Sequence, residues 1–266
     1  MNDDELASWL ATEAGKLLLK IRGDIAPLMP GQQATYDVAA LGDAGDRIAN
    51  EFLLEQLAIH RPDEVVLSEE SLDPQTRHQA DRVWIIDPLD GTASFSRGYP
   101  GFAVHVALWE SSATTSGQIV AAAVAVPMIG QTLSTADPKP IGLPQGEQKE
   151  IRIVTSPTNP PEKLLEISSA LTAEFGATVS VERRGSVGAK VAHIINGHAD
   201  VYLTTRGFNE WDIAAPLAIA QHYGLSATLP TGAEFKFNQA DVEVPGALIC
   251  RPHFYQSVME ILVGTK

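Results

Sequence analysis

Segments of helical periodicity alternate with short β-rich runs along a chain of 266 residues, and this mixture predicts a layered α/β (α+β) sandwich. Two further observations support that class. Hydrophobic residues make up 44% and charged residues 20%, which suits a globular chain that buries roughly 75% of its unfolded surface and needs no disulfide or metal staple to fold. No apolar run reaches the ~18 residues that a membrane-spanning helix requires.

Residues 4–22 repeat Leu6, Leu10, Ala14, Leu17, Leu18 and Ile21 at helical spacing and predict an amphipathic helix. Pro27, Pro30 and Gly31 mark a loop. A second helix is expected from near Asp46, with Ile48, Phe52, Leu53 and Leu57 on one side, ending at Arg61-Pro62-Asp63. Val65–Leu67 and Val83–Ile86 read as short strands. Phe102–Trp109 and Gln118–Val126 flank a polar turn and predict an antiparallel pair. The stretch Ala136–Lys149, rich in Pro, Gly and Gln, separates an N-terminal α+β half (1–140) from a C-terminal α/β half (150–266). In the second half a strand at Ile151–Val154 precedes a helix opened by Pro160-Pro161, with Leu164, Leu165, Leu171 and Phe175 expected on its inner face. Val187–Asn196 is a helix stopped by Gly197, Ala199–Leu203 a strand, and Asp212–Tyr223 a helix stopped by Gly224.

Nineteen basic residues against 33 acidic ones give a net charge of −14. That balance repels nucleic acid polymers and anionic membranes. It would also repel a phosphorylated metabolite unless cations sit in the site. The acidic residues 1–5 lack the basic start of a secretory leader, so a cytoplasmic protein is expected. The single cysteine, Cys250, lies in the apolar run Ala247–Cys250 and reads as a core residue; a disulfide framework or a zinc ribbon of paired cysteines is excluded.

The chemistry concentrates in Trp84-Ile-Ile-Asp-Pro-Leu-Asp-Gly-Thr92. An apolar strand delivers Asp87 and Asp90 at its C-terminal end, with the Leu89 carbonyl between them. Gly91-Thr92 then offers backbone N–H groups and a hydroxyl where a helix can begin, which suits an anion. Ser68-Glu69-Glu70-Ser71 supplies two more carboxylates after a short strand, and Glu210-Trp211-Asp212 opens a helix with another. Carboxylates beside an anion cradle suit hydrolysis of a phosphate ester. The donors are hard oxygens, which selects Mg²⁺ or Mn²⁺ over zinc. His105 alternates within a β-rich run and reads as packing, and Arg183-Arg184 reads as a solvated charge pair.

These blocks resemble the two signatures of the inositol monophosphatase-like superfamily of magnesium-dependent phosphatases, W-I-I-D-P-L-D-G-T and W-D-x-A-A, with E-E-S upstream and G-S-x-x-x-K between. Leu41–Arg47, Ala103–Trp109, Gly185–Lys190 and Phe237-Asn-Gln are most similar to the actinobacterial form of the CysQ-type 3′-phosphoadenosine 5′-phosphate phosphatases. The resemblance implies an αβαβα fold like that of inositol monophosphatase and fructose-1,6-bisphosphatase. It implies two or three Mg²⁺ ions, with Mn²⁺ as a substitute, on Glu69, Asp87, Asp90, Asp212 and the Leu89 carbonyl. Gly91 and Thr92 would hold the phosphate. Asp46 would partner Thr92, and Glu70 would support the metal site. Ser186, Lys190 and Glu210 would lie near the non-reacting part of the substrate. The implied reaction is direct attack of water on the 3′-phosphate of 3′-phosphoadenosine 5′-phosphate, inhibited by lithium and serving sulfate assimilation, in a monomer or homodimer. Inositol or sugar phosphate hydrolysis is the alternative within the class, and a non-catalytic phosphometabolite-binding protein is the alternative outside it.

Overall fold

Two helices open the chain, α1 (Asp3–Arg22) and α2 (Val38–His60). The side chain of Asn2 accepts the Glu5 amide at 2.8 Å while the Asn2 amide donates to Glu5 at 3.0 Å, a reciprocal cap that starts α1. A sheet follows: β1 (Val65–Ser68), β2 (Arg82–Asp90), the short helix α3 (Thr92–Ser96), β3 (Ala103–Glu110), β4 (Gln118–Val126) and β5 (Gln131–Ser134). Its strands lie in chain order, with β1 and β2 parallel and the remaining pairs antiparallel. The second half runs β6 (Glu150–Thr155), α4 (Leu164–Phe175), β7 (Thr178–Arg183), α5 (Val187–Ile195), β8 (Val201–Thr204), β9 (Phe208–Asn209), α6 (Glu210–His222), β10 (Ser226–Thr228), β11 (Glu243–Val244), β12 (Ala247–Cys250) and α7 (Pro252–Leu262). Here the sheet order is β10-β12-β8-β6-β7, and β9 pairs with β11 apart from it. This computed structural model describes residues 1–29, 31–114, 116–139, 149–157 and 160–264.

Alternation along the strands assigns the layers. In β2, Trp84 and Ile86 join a core with Leu6, Leu10 and Leu18 of α1 and Leu53 of α2, while Val83 and Ile85 face Ile213, Leu217 and Ala220 of α6. In the second sheet Val154, Tyr202 and Ile249 meet α5 and α6 from the other side, and Ile153, Leu203 and Cys250 pack under Leu171 of α4 and Phe254 of α7. The order is therefore helix, sheet, helix, sheet, helix, and α5 and α6 are buried between two sheets. That explains their apolar character: α6 runs Ile213, Ala214, Ala215, Pro216 and Leu217 without an exposed stripe.

Several local expectations are corrected. α2 begins at Val38 rather than near Asp46, because Asp37 caps it by accepting the Ala40 amide at 3.1 Å. α4 turns Leu165 (83% exposed) and Phe175 (37% exposed) outward; its buried residues are Ile167 and Leu171, because an outermost helix covers the sheet with a narrow stripe. β7, a polar edge strand, and α7, started by Pro252, were not anticipated. Cys250 is buried as expected. Pro30 and residues 140–148 of the Ala136–Lys149 separator lie outside the described residues.

Candidate functional site

The parallel pairing of β1 with β2 sends both chains out at the same end of the sheet. Ser68 pairs with Ile86, so Glu69 and Asp87 emerge side by side. Two positions three apart on a regular strand point to opposite faces. Between Asp87 and Asp90, however, β2 carries one residue more than β3: Asp87 pairs with His105 and Asp90 with Ala103. The extra residue is accommodated at Pro88-Leu89, where proline has no N–H to lose. The bulge returns both carboxylates to the face toward α5 and α6.

Asp87 is fully buried, and its Oδ1 accepts the Leu89 amide at 3.0 Å while its Oδ2 has no partner. Burial pushes its carboxyl well above the ordinary range, and the charges of Asp90, Glu69 and Asp212 push the same way. Asp212 stands at the start of α6, where it accepts the Asn209 amide at 2.7 Å; burial and then the Asp90 charge raise its pKa to about 7. Lost hydration, then Asp212, raises Glu69 to about 7. Asp90 is anchored by α5: its Oδ2 accepts the Ser186 hydroxyl at 2.7 Å, the Gly188 amide at 3.3 Å and the Val187 amide.

Asp46 and Thr92 meet because α2 has no side chains where it crosses α3. A Cβ on Gly45 would stand 2.7 Å from Phe95 and 2.8 Å from Leu89, and one on Gly42 would stand 3.0 Å from Thr92. The Thr92 hydroxyl lies 3.2 Å from Asp46 Oδ1 and 3.1 Å from the Leu89 carbonyl, and can donate to either. Burial, then the nearby charge of Glu70, lifts Asp46 to about 7. Gly91 adopts φ +93°, and a Cβ there would press to 2.6 Å from the Gly101 carbonyl.

Three residues expected near the substrate are buried and hydrogen-bonded within the protein. Ser186 is buried, with its hydroxyl spent on Asp90 and on the Ala189 amide at 3.0 Å. Glu210 is 1% exposed, and its two oxygens accept the Asn238 and Gln239 amides at 2.7 and 2.8 Å. Lys190 is 4% exposed: its ammonium donates to the Arg184 carbonyl at 3.3 Å and lies 5.0 Å from the Tyr202 ring centre. Burial lowers Lys190 to about 8 against the pull of Asp90 and Asp212.

His105, read as packing, stands inside the cluster. Its Nε2 is 3.2 Å from Asp90 Oδ2, its Nδ1 faces the Trp211 carbonyl at 3.3 Å, and burial lowers its pKa. The available signal was a polar side chain on the inward parity of β3, between Ala103 and Ala107. Gly101 packs against Gly91 and Gly185.

These residues fit a divalent cation. Asp87 Oδ2 is an orphaned, buried acceptor among like charges, an arrangement that costs several kcal/mol per ion unless a positive charge joins it. Asp87, Asp90 and His105 each offer an atom within 4.8 Å of the others, so this cluster could hold a metal ion. Among the described residues, no helix is long and apolar enough to cross a membrane.

The chain is similar to proteins of known class. It is 42% identical to the 3′-phosphoadenosine 5′-phosphate phosphatase of Mycobacterium leprae, over 99% of this chain and 93% of that protein. It is 41% identical to the Mycobacterium tuberculosis protein of the same name, over 95% and 88%. Among solved structures, the Thermotoga maritima IMPase matches with TM-score 0.72 at 22% identity, covering 98% of this chain and 97% of that one, which shows the shared fold. The sequence pattern of the inositol monophosphatase family spans residues 4–262. With that span, and with relatives above 40% identity along nearly its whole length, the chain belongs to the inositol monophosphatase family.

Proposed function

We propose that this protein is a Mg²⁺-dependent phosphomonoesterase that removes the 3′-phosphate of 3′-phosphoadenosine 5′-phosphate, giving AMP and phosphate. The observation that carries the reaction is the unpartnered, buried Asp87 oxygen at the centre of Glu69, Asp90 and Asp212. The substrate rests on the name shared by the mycobacterial relatives at 41–42% identity. Two or three Mg²⁺ ions, or Mn²⁺, bound by Glu69, Asp87, Asp90, Asp212 and the Leu89 carbonyl would neutralise the phosphate dianion and acidify water.

The chain's own groups handle the proton and the orientation. Asp46 accepts the Thr92 hydroxyl proton, which turns the Thr92 lone pairs toward water and draws it into line for attack. A carboxyl lifted to about 7 is suited to share a proton at neutral pH. Glu70 sustains that elevation through its charge. The Gly91 and Thr92 backbone receives the phosphate oxygens at the start of α3. In this reading residues 1–140 supply most of the metal ligands and residues 150–266 supply Asp212. The enzyme works in the cytoplasm, as a monomer or homodimer, and clears a by-product of sulfate assimilation.

A second reading, hydrolysis of inositol or sugar phosphates, draws on a Thermotoga maritima relative, 29% identical over 71% of the chain, named fructose-1,6-bisphosphatase/inositol-1-monophosphatase. Phosphate release from 3′-phosphoadenosine 5′-phosphate, inositol 1-phosphate and fructose 1,6-bisphosphate tests both. The nucleotide should be hydrolysed with the highest kcat/KM; a higher value for either other substrate overturns the first reading.

A further inference from the structure

Next to Gly91 opens a cavity of about 560 Å³, the size of a nucleoside-sized guest. Its floor is backbone. Gly91, Gly101 and Gly185 lie against one another so closely that a Cβ on Gly185 would fall 2.2 Å from Ser94 Oγ and 2.6 Å from the Gly101 carbonyl. Its wall carries Arg97, Arg183 and Arg184. Arg97 follows α3 directly, while Arg183 ends β7 and Arg184 follows it. Two segments distant in sequence, 91–101 and 183–185, thus bring their cations and glycines to one opening.

That concentration is unusual for this chain. It has 11 arginines and a net charge of −14. Most of the others are committed: Arg47, Arg61, Arg77, Arg82, Arg152 and Arg251 pair with carboxylates, and Arg22 donates to the Phe95 and Gly98 carbonyls. Among the described residues, Arg97 and Arg183 pair with no carboxylate. Arg184 gives its Nη2 to Glu182 at 2.6 Å, but its Nε is buried and has no acceptor. Glu182, which also lines the cavity, meets His193 Nε2 at 2.9 Å as well. Unpaired guanidinium groups on a cavity wall call for an anion, and a guanidinium fork matches phosphate oxygens in pairs.

We propose that this arginine-walled cavity binds a second phosphate group of the substrate, distinct from the one that is hydrolysed, and so sets a preference for bisphosphates. The proposal rests on the function proposed above, in which the scissile phosphate lies at Gly91. The carboxylate cluster acts on any phosphate ester alike, so discrimination has to come from groups that reach the rest of the molecule. A substrate seated at Gly91 extends into this cavity. Lys190 lies behind Arg184 and donates to its carbonyl.

The test compares substrate pairs that differ by one phosphate: 3′-phosphoadenosine 5′-phosphate with 3′-AMP, and fructose 1,6-bisphosphate with fructose 1-phosphate. Wild type should favour the bisphosphate of at least one pair. In Arg183→Gln the ratio of kcat/KM, bisphosphate over monophosphate, should fall about tenfold, through KM, and further in Arg97→Gln/Arg183→Gln. Should the double variant keep the wild-type ratio, or lose activity equally on both members of a pair, the arginines do not bind a second phosphate. Absence of any bisphosphate preference in wild type also overturns the proposal. A wild type that ignores the nucleotide but prefers fructose 1,6-bisphosphate through these arginines would overturn the nucleotide assignment and leave this inference standing.

Discussion

A single buried oxygen is the most consequential atom in the molecule. Asp87 Oδ2 has no hydrogen-bond partner and three carboxylates around it, so a proton or a cation is needed to offset their charge. Removing one charge from the cluster should disable it. Asp90→Asn keeps an oxygen for the Ser186, Val187 and Gly188 donors, so the chain should fold, yet kcat/KM for phosphate release should fall at least a hundredfold. Circular dichroism beside the kinetics separates the two effects, and near-normal turnover in a folded variant would exclude Asp90 from the metal site. Lys190 bears a different expectation. Its ammonium is enclosed, close enough to Asp90 and Asp212 for their charges to be felt, so Lys190→Met should weaken hydrolysis of nucleotide and inositol phosphates by the same factor. A loss confined to 3′-phosphoadenosine 5′-phosphate would mean that Lys190 reaches the substrate after all.

Elements are held at this site by small, specific devices. Arg77, fully buried in a one-turn helix before β2, donates to Asp73 at 2.6 and 2.8 Å, to Asn238 at 2.8 Å and to the Gln239 carbonyl at 2.8 Å. Asn238, at φ +58°, returns a bond to the Arg77 carbonyl at 3.0 Å, and its amide and that of Gln239 satisfy Glu210. The guanidinium thus holds the 237–239 loop, whose amides in turn hold Glu210 at the start of α6, where Asp212 is presented. Arg77→Ala should cost about 3 kcal/mol, since it empties the space of a fully buried side chain and breaks four hydrogen bonds at once. For a chain of this size that lowers Tm by roughly 6–12 °C, readable by calorimetry. A change under about 1 °C would show that the network is ornamental to stability. Glycines act at the same scale: Gly42 and Gly45 let α2 approach β2 and α3, and without that approach Asp46 would not reach Thr92.

Across the whole molecule, two layered halves enclose a store of protons. Asp46, Glu69 and Asp212 sit near 7 in the fold against ordinary values of 3.8 to 4.5. Between those limits the folded chain binds more protons than the unfolded chain, so the stability of metal-free protein falls as pH rises through the window and levels off above about 7. After EDTA treatment, Tm should therefore be lower at pH 8 than at pH 5. Mg²⁺ should restore more of it at pH 8, where the ligands are ionised and the cation has no proton to displace. Asp212→Asn should flatten the profile. A metal-free Tm that rises with pH would mean that burial and the neighbouring charges do not hold these carboxyls up. Activity should vanish with the metal and return with Mg²⁺, and full turnover after thorough chelation would remove the metal mechanism.

The strand and helix that carry the carboxylates were legible in the residue order, because Asp87-Pro-Leu-Asp-Gly-Thr92 combines a strand end and a turn within six residues, whereas the bulge that aligns Asp87 with Asp90 shows only in the strand pairing. Residue patterning likewise located β1 to β4 of the first sheet and β6 and β8 of the second, but not β5, β7, β10 or β12, which are short or lie at or near a sheet edge. What the order could not decide was which polar groups become neighbours across layers. Ser186, Lys190 and Glu210 stand in suggestive motifs, yet folding turns them toward Asp90, the Arg184 carbonyl and the 237–239 loop. His105 becomes part of the cluster through pairing with Asp87, and Arg97 joins Arg183 and Arg184 around one cavity although some 86 positions separate it from them. Local motifs are set by short-range sterics and hydrogen bonding, which a short stretch of sequence contains. The direction a buried polar side chain takes is set by the partner it finds in three dimensions, because leaving that group unpaired costs more than any local preference returns.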